Sequence, residues 1–235
     1  MKMRICSLCL PLIGLLLGDH TPVASGQETK PGRFPAAPSE ATYRGGLVTP
    51  PLTKPRFTLT DKTGAPFDFW QRTQGSVTLL FFGYTNCPDQ CPMHMGNLGL
   101  ALKKMPASTA DRVKLVFVTT DPARDNPAVL RRWLDHFDRR FIGLTGTEAT
   151  IEAVQRAAGV PPSKKAGASN GDYAVTHANF VLAYTKDNLA HLIYPGGVSR
   201  DDWVHDLPLL IEETWLSPVT LDCSRARSVV QIARD

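Results

Sequence analysis

The chain is poor in cysteine, with five in 235 residues. It also lacks a comfortable membrane span: the apolar run Ile5–Gly18 (ICSLCLPLIGLLLG) falls short of the roughly 20 residues that a bilayer-crossing helix needs. It has no strong charge bias, because 26 Lys and Arg face 22 Asp and Glu. The one dense basic patch, Arg131–Arg140 (RRWLDHFDRR), alternates with acids and apolar residues. Such a pattern is the solvated face of an amphipathic helix and makes no case for a nucleic-acid partner. No internal repeat is present.

What is present suits a folded domain. Apolar residues make up 43% and charged residues 20%, a globular composition with material for a core. The length fits one domain with a tail. The start, MKMR, is short and basic, and the apolar run after it leads to small residues at Ala24–Gln27 (ASGQ). We read residues 1–26 as a Sec-type signal peptide, which places the rest in the periplasm. An uncleaved signal anchor is the alternative and would hold the domain at the outer face of the inner membrane. A mitochondrial presequence should be Arg-rich and amphipathic, which this segment is not. Cys9 lies too near the start to be a convincing lipid attachment site. Three cysteines then remain, Cys87, Cys91 and Cys223, in a compartment where disulfides persist. Three is odd, so at least one thiol has no intramolecular partner.

Residues 27–55 are polar and rich in Pro, Gly and Thr, and read as a flexible N-terminal segment. Phe57–Phe69 reads as a hairpin with the turn DKTG. Ser76–Tyr84 and Val113–Thr120 are continuous apolar runs, the mark of strands buried on both faces. Between them, Met95, Leu98, Leu102 and Met105 recur at helical spacing. Asp125–Phe137 reads as a helix capped by Asp125 or Asn126, with Pro127 in its first turn. Phe141–Gly146 is a third short strand, and Thr147–Gly159 is a helix with a threonine cap and a glycine stop. Val160–Thr176 reads as a long polar loop. Ala178–Thr185 and Leu189–Pro195 form a hairpin through KDN, and a last helix spans about Asp201–Trp215. Residues 217–235, with Cys223, read as an appended tail. The fold class is α/β: a thioredoxin-like central sheet flanked by helices, with an N-terminal hairpin and a domain spanning 56–216.

The chemistry concentrates in FFGYTNCPDQCPMHMGNL, Phe81–Leu98. Cys87 and Cys91 follow the first central strand, and each is followed by a proline. A proline inside a helix removes a backbone bond and clashes with the preceding turn. The regular helix is therefore expected to start at Pro92, with Cys91 near its cap and Cys87–Cys91 an irregular turn. A thiol at a helix N-terminus has a lowered pKa. Three readings stay open: a structural disulfide, a dithiol redox pair and a copper clamp. A disulfide closing so short a loop constrains the unfolded chain only modestly. Two thiolates plus an imidazole suit copper, whereas a closed zinc site would want a fourth ligand.

The stretch FGYTNCPDQCP resembles the Sco/SenC family of copper chaperones, which assemble cytochrome c oxidase. Thr119–Pro127 (TTDPARDNP) resembles the family's Asp-Pro-x-Arg-Asp-x-Pro segment. Asp172–Tyr184 (DYAVTHANFVLAY) resembles its Tyr-x-Val-x-His segment, which supplies a third copper ligand. The resemblance covers about Arg56–Trp215 and implies Cys87, Cys91 and His177 as ligands of Cu(I) or Cu(II). It implies delivery of copper to the binuclear copper site of cytochrome c oxidase, with that enzyme's copper-site subunit as partner. A thiol-disulfide reductase or another copper chaperone would be a second partner. The alternative is a thiol-disulfide oxidoreductase acting on target cysteines through Cys87 and Cys91. Many family members carry Asp before the His and Ser after it; here these are Thr176 and Ala178, which leaves no obvious side-chain partner for His177.

The remaining candidates have plainer readings. Met95 shares a stripe with Leu98 and Leu102 and belongs to the core. Met93 and His94 are transient copper ligands only as a minority reading. His136 and His205 sit on helix surfaces, and His191 lies on a sheet face with no partner evident. Asp121 ends the second core strand, where a turn role weighs as much as a site role.

Overall fold

A computed structural model describes residues 43–167 and 173–215. The signal peptide, the rest of the chain before Tyr43, and the tail with Cys223 lie outside the described residues. An eight-stranded sheet organises the described residues. Its centre is parallel: β4 (Val77–Gly83), β5 (Val113–Thr119) and β6 (Ile142–Thr145) lie side by side in register. On one flank β9 (Phe180–Tyr184) pairs antiparallel with β4, followed by β10 (Leu189–Pro195) and β1 (Gly46–Thr53). On the other flank the hairpin of β2 (Thr58–Asp61) and β3 (Pro66–Asp68) joins β6. This is the thioredoxin-like arrangement expected from the sequence.

Every residue of β4 is buried, as its unbroken apolar run requires. Successive side chains point to opposite faces. Val77, Leu79 and Phe81 pack under α2 (Gln90–Lys104), α4 (Pro127–Phe137) and α6 (Arg200–Glu212) through Leu98, Leu102, Leu130, Leu134, Trp203 and Leu207. Leu80 and Phe82 pack on the opposite face against Phe69 of α1 (Phe69–Thr73) and Ile151 and Val154 of α5 (Glu148–Ala157). A short α3 (Ala107–Ala110) precedes β5. The DKTG turn closes as Asp61 accepts from the backbone N–H groups of Thr63 and Ala65 at 2.7 and 3.1 Å, with Gly64 at φ 89°. Among the described residues no helix is long and apolar enough to cross a membrane.

Three expectations need correction. Part of the supposed flexible segment is β1, which lengthens the sheet along β10. The supposed long loop holds a second, two-stranded sheet, β7 (Lys164–Gly167) with β8 (Tyr173–Thr176). His191 does have partners: its Nε2 lies 2.7 Å from Asp187, and its ring stacks on Trp215 at 4.0 Å. Of the two cap candidates for α4, Asn126 is the one that caps it.

Candidate metal centre

The site sits at the C-terminal edge of the parallel strands, where β4 gives way to α2. After Gly83 the chain turns back, and the Cys87 N–H donates to the Tyr84 carbonyl at 3.2 Å. The helix then begins at Gln90 under an Asp89 cap, two residues earlier than the prolines suggested. The first N–H groups of a helix have no acceptor within it, so Pro92 forfeits no bond in the first turn. Cys91 is thus inside that turn. Its own unpaired N–H points at Cys87 Sγ, 3.4 Å away. Cys91 is fully buried, and Gly83 makes room for it. A Cβ at position 83 would stand 2.6 Å from Cys91 Sγ and 2.8 Å from the Phe81 ring.

His177 follows β8 and reaches the same spot. Its Nδ1 lies 3.1 Å from the Ala178 carbonyl oxygen. A carbonyl only accepts, so Nδ1 carries the hydrogen, and in the neutral ring Nε2 presents its lone pair. That Nε2 stands 3.5 Å from Cys91 Sγ and 3.8 Å from Cys87 Sγ. The three donor atoms all lie within 4.8 Å of one another, and among the described residues no other His, Cys, Asp and Glu group of that kind occurs. The backbone carbonyl therefore supplies the outer partner that Thr176 and Ala178 side chains do not. The Thr176 hydroxyl instead donates to the Lys164 carbonyl across β7–β8 at 3.1 Å. Tyr84 and Phe81 wall the imidazole edge-on, with ring centroids at 5.6 and 5.9 Å.

Both thiols are free. Cys87 is pushed down to about 4, first because the Cys91 thiol donates to it, with help from the Cys91 N–H. Burial, then the neighbouring Cys87, push Cys91 well up. The pair therefore holds one proton, and it sits on Cys91. A thiolate and a lone-pair nitrogen beside a second sulfur make a donor set suited to a soft or borderline metal.

The segment after β5 braces both halves of the site. Buried Asp125 accepts from the Thr85 N–H at 2.9 Å, the Thr85 hydroxyl at 2.5 Å and the Thr119 hydroxyl at 2.7 Å. Thr85 begins the cysteine turn. Asp121 is fully buried, accepts from the Tyr173 hydroxyl at 2.6 Å and pairs with Arg124. Arg124 lies over the Tyr173 ring at 3.8 Å and donates to its carbonyl at 3.1 Å. Tyr173 begins the strand that leads to His177. These bracing roles were not legible from the sequence beyond the motif match. Met95 is core as expected, Met93 is exposed, and His94 is buried and bonded to Asn179 rather than open to a metal.

A thioredoxin-like domain carrying a Cys–Cys–His donor set is the class that fold and site define. The SCO1/SenC family profile matches residues 48–212. A putative copper-binding protein of Stutzerimonas stutzeri is 36% identical over 146 residues, 62% of this chain and 66% of that one. The mitochondrial protein SCO1 of Saccharomyces cerevisiae is 36% identical over 145 residues, 60% of this chain and 48% of that one. Among solved structures, ScoI of Bradyrhizobium japonicum with copper bound is 31% identical with a TM-score of 0.61, covering 67% of this chain and 99% of that one. The chain belongs to the SCO1/SenC family. It spans about half to two thirds of the length of those two curated relatives.

Proposed function

We propose that the protein is a periplasmic copper metallochaperone that holds copper through Cys87, Cys91 and His177. Its cargo is destined for the binuclear copper site of cytochrome c oxidase, whose copper-site subunit is the partner. The observation that carries this reading is the aim of His177: its Nε2 lone pair faces two sulfurs at 3.5 and 3.8 Å. Disulfide exchange does not require that imidazole. A soft thiolate pair retains Cu(I), and an added nitrogen donor accommodates Cu(II). Family membership and the copper-bound relative support the same choice of metal.

This chain's residues prepare the site in distinct ways. Cys87 is the thiolate that a metal meets first, and Cys91 must give up its proton for both sulfurs to bind. The Ala178 carbonyl holds the imidazole in the tautomer that binds. The experiment is copper analysis of the reduced protein beside its Cys87–Cys91 disulfide form. Reduced protein should bind tightly and oxidised protein should not. Equal binding by the two forms would show that this clamp is not the site.

The second reading, a thiol-disulfide oxidoreductase, is favoured by one observation: the low-pKa Cys87 thiolate next to a protonated Cys91. That is the arrangement of an attacking thiol and its resolving partner. Reduction of target disulfides by a reduced protein that takes up no copper would favour it.

A further inference from the structure

The imidazole of His94 is nearly fully buried in the face of α2 that looks toward the site. Its Nε2 lies 3.2 Å from Asn179 Oδ1. The other end of that amide, Asn179 Nδ2, donates to Gln90 Oε1 at 2.8 Å. The direction of the chain follows. Because the amide nitrogen faces Gln90, its oxygen faces His94, so His94 Nε2 carries the hydrogen and donates. Gln90 is the first residue of α2 and the neighbour of Cys91; Asn179 is two residues beyond His177. The relay thus ties the element bearing Cys91 to the segment bearing His177.

Two further contacts close the relay. The Gly196 N–H donates to the Asn179 carbonyl at 2.9 Å. A Cβ at Gly196 would lie 2.1 Å from Asn179 Nδ2 and 2.9 Å from Gln90 Oε1, so the turn after β10 can approach only as glycine. Phe81 stands against both imidazoles, 4.9 Å from His94 and 5.9 Å from His177. Three separate parts of the chain meet on one amide.

We propose that His94, acting through Asn179 and Gln90, is a positioning residue that clasps the His177 segment to the first turn of α2 and so sets the imidazole beside the two sulfurs. This rests on the metal-binding reading above for its consequence, though the clasp exists without metal. A partly rotated or displaced His177 would leave the two-sulfur site intact and remove the nitrogen donor. His94 therefore governs the preference between the two oxidation states of copper and leaves overall retention of Cu(I) to the sulfurs.

The test has two arms. In the metal-free protein, His94→Leu and Asn179→Ser should raise amide hydrogen exchange about tenfold at Gly196, whose N–H is held by the Asn179 carbonyl, the effect of losing one buried hydrogen bond. Exchange in β4 and β5 should stay as in wild type. His94→Gln, which keeps a donor, should restore most of the protection. In the copper arm, His94→Leu should weaken Cu(II) binding about tenfold and leave Cu(I) binding nearly unchanged. In the His177→Ala background the same change should have no further effect on Cu(II), since the cycle isolates coupling between the two sites. Unchanged exchange at Gly196 would overturn the clasp. An equal Cu(II) loss with and without His177 would reduce His94 to an ordinary core residue. A wild type that binds no copper would instead contradict the metal-binding reading, and the exchange arm would still decide the clasp.

Discussion

The backbone N–H of Cys91 points at the sulfur of Cys87 across 3.4 Å. A helix-start donor with no acceptor inside the helix is spent on holding a thiolate. The same first turn that lowers the pKa of one cysteine buries the other, so the pair is asymmetric before any metal or substrate arrives.

That asymmetry has a direct chemical consequence. Cys87 is held at about 4 by hydrogen bonds, chiefly from the Cys91 thiol, whereas burial pushes Cys91 up. In the reduced protein, iodoacetamide should label Cys87 well before Cys91 at mildly acidic pH. Free thiols, with an ordinary pKa of about 8.5, should be nearly inert there. Mass spectrometry of the early product checks the order. Equal labelling, or Cys91 first, would refute the assignment of the shared proton.

Gly83 is the second point of sensitivity. Gly83→Ala places a methyl 2.6 Å from Cys91 Sγ, against a side chain that has nowhere to go. Overpacking of this kind costs about 1–3 kcal/mol. Denaturant unfolding should show the loss, and copper affinity should fall with it because the sulfur is displaced. Wild-type stability and affinity in this variant would mean that the turn is looser than described.

Lys54 offers a test far from the site. It is buried, donates to the Thr73 carbonyl and to the Thr73 and Thr78 hydroxyls at 3.1–3.2 Å, and lies over the Phe69 and Tyr184 rings. Desolvation first, then Lys114, lower its pKa from 10.5 to about 8. Below that value the lysine is charged in both states, and the cost of burying the charge is fully present. As pH rises from about 8 toward 10.5 the unfolded chain binds more protons than the folded one, so stability rises. The gain is on the order of 3 kcal/mol at most. Unfolding measured against pH for wild type and Lys54→Met should diverge across that window, with the rise confined to wild type. Parallel curves would show that Lys54 titrates normally.

The core strands were legible because burial on both faces forces unbroken apolar runs, and β4 and β5 have them. β1 was not: Pro50 and Pro51 in LVTPPLT argue against a strand, yet an edge strand tolerates prolines whose missing N–H groups would face outward. β7 and β8 escaped notice because each is only four residues long and six of their eight residues are exposed. The two cysteines announced themselves by spacing. His177 lies 86 residues from Cys91, and only a motif match could bring it in. Its tautomer, fixed by the carbonyl of the next residue, has no sequence signature. Nor has the Gln90–Asn179–His94 relay, since Gln90 and His94 of α2 meet Asn179, 85 residues or more away, only once the chain is folded.

His177 as a metal donor is tested most directly by titrating both copper oxidation states into reduced wild type and His177→Ala. Two thiolates satisfy Cu(I) in a near-linear site, while Cu(II) prefers tetragonal geometry with nitrogen or oxygen donors. The variant should keep much of its Cu(I) affinity and lose Cu(II) affinity severely, while its reduction of a small disulfide substrate changes little. Unchanged Cu(II) affinity in His177→Ala would contradict the account, because the imidazole facing the two sulfurs would then not be a ligand.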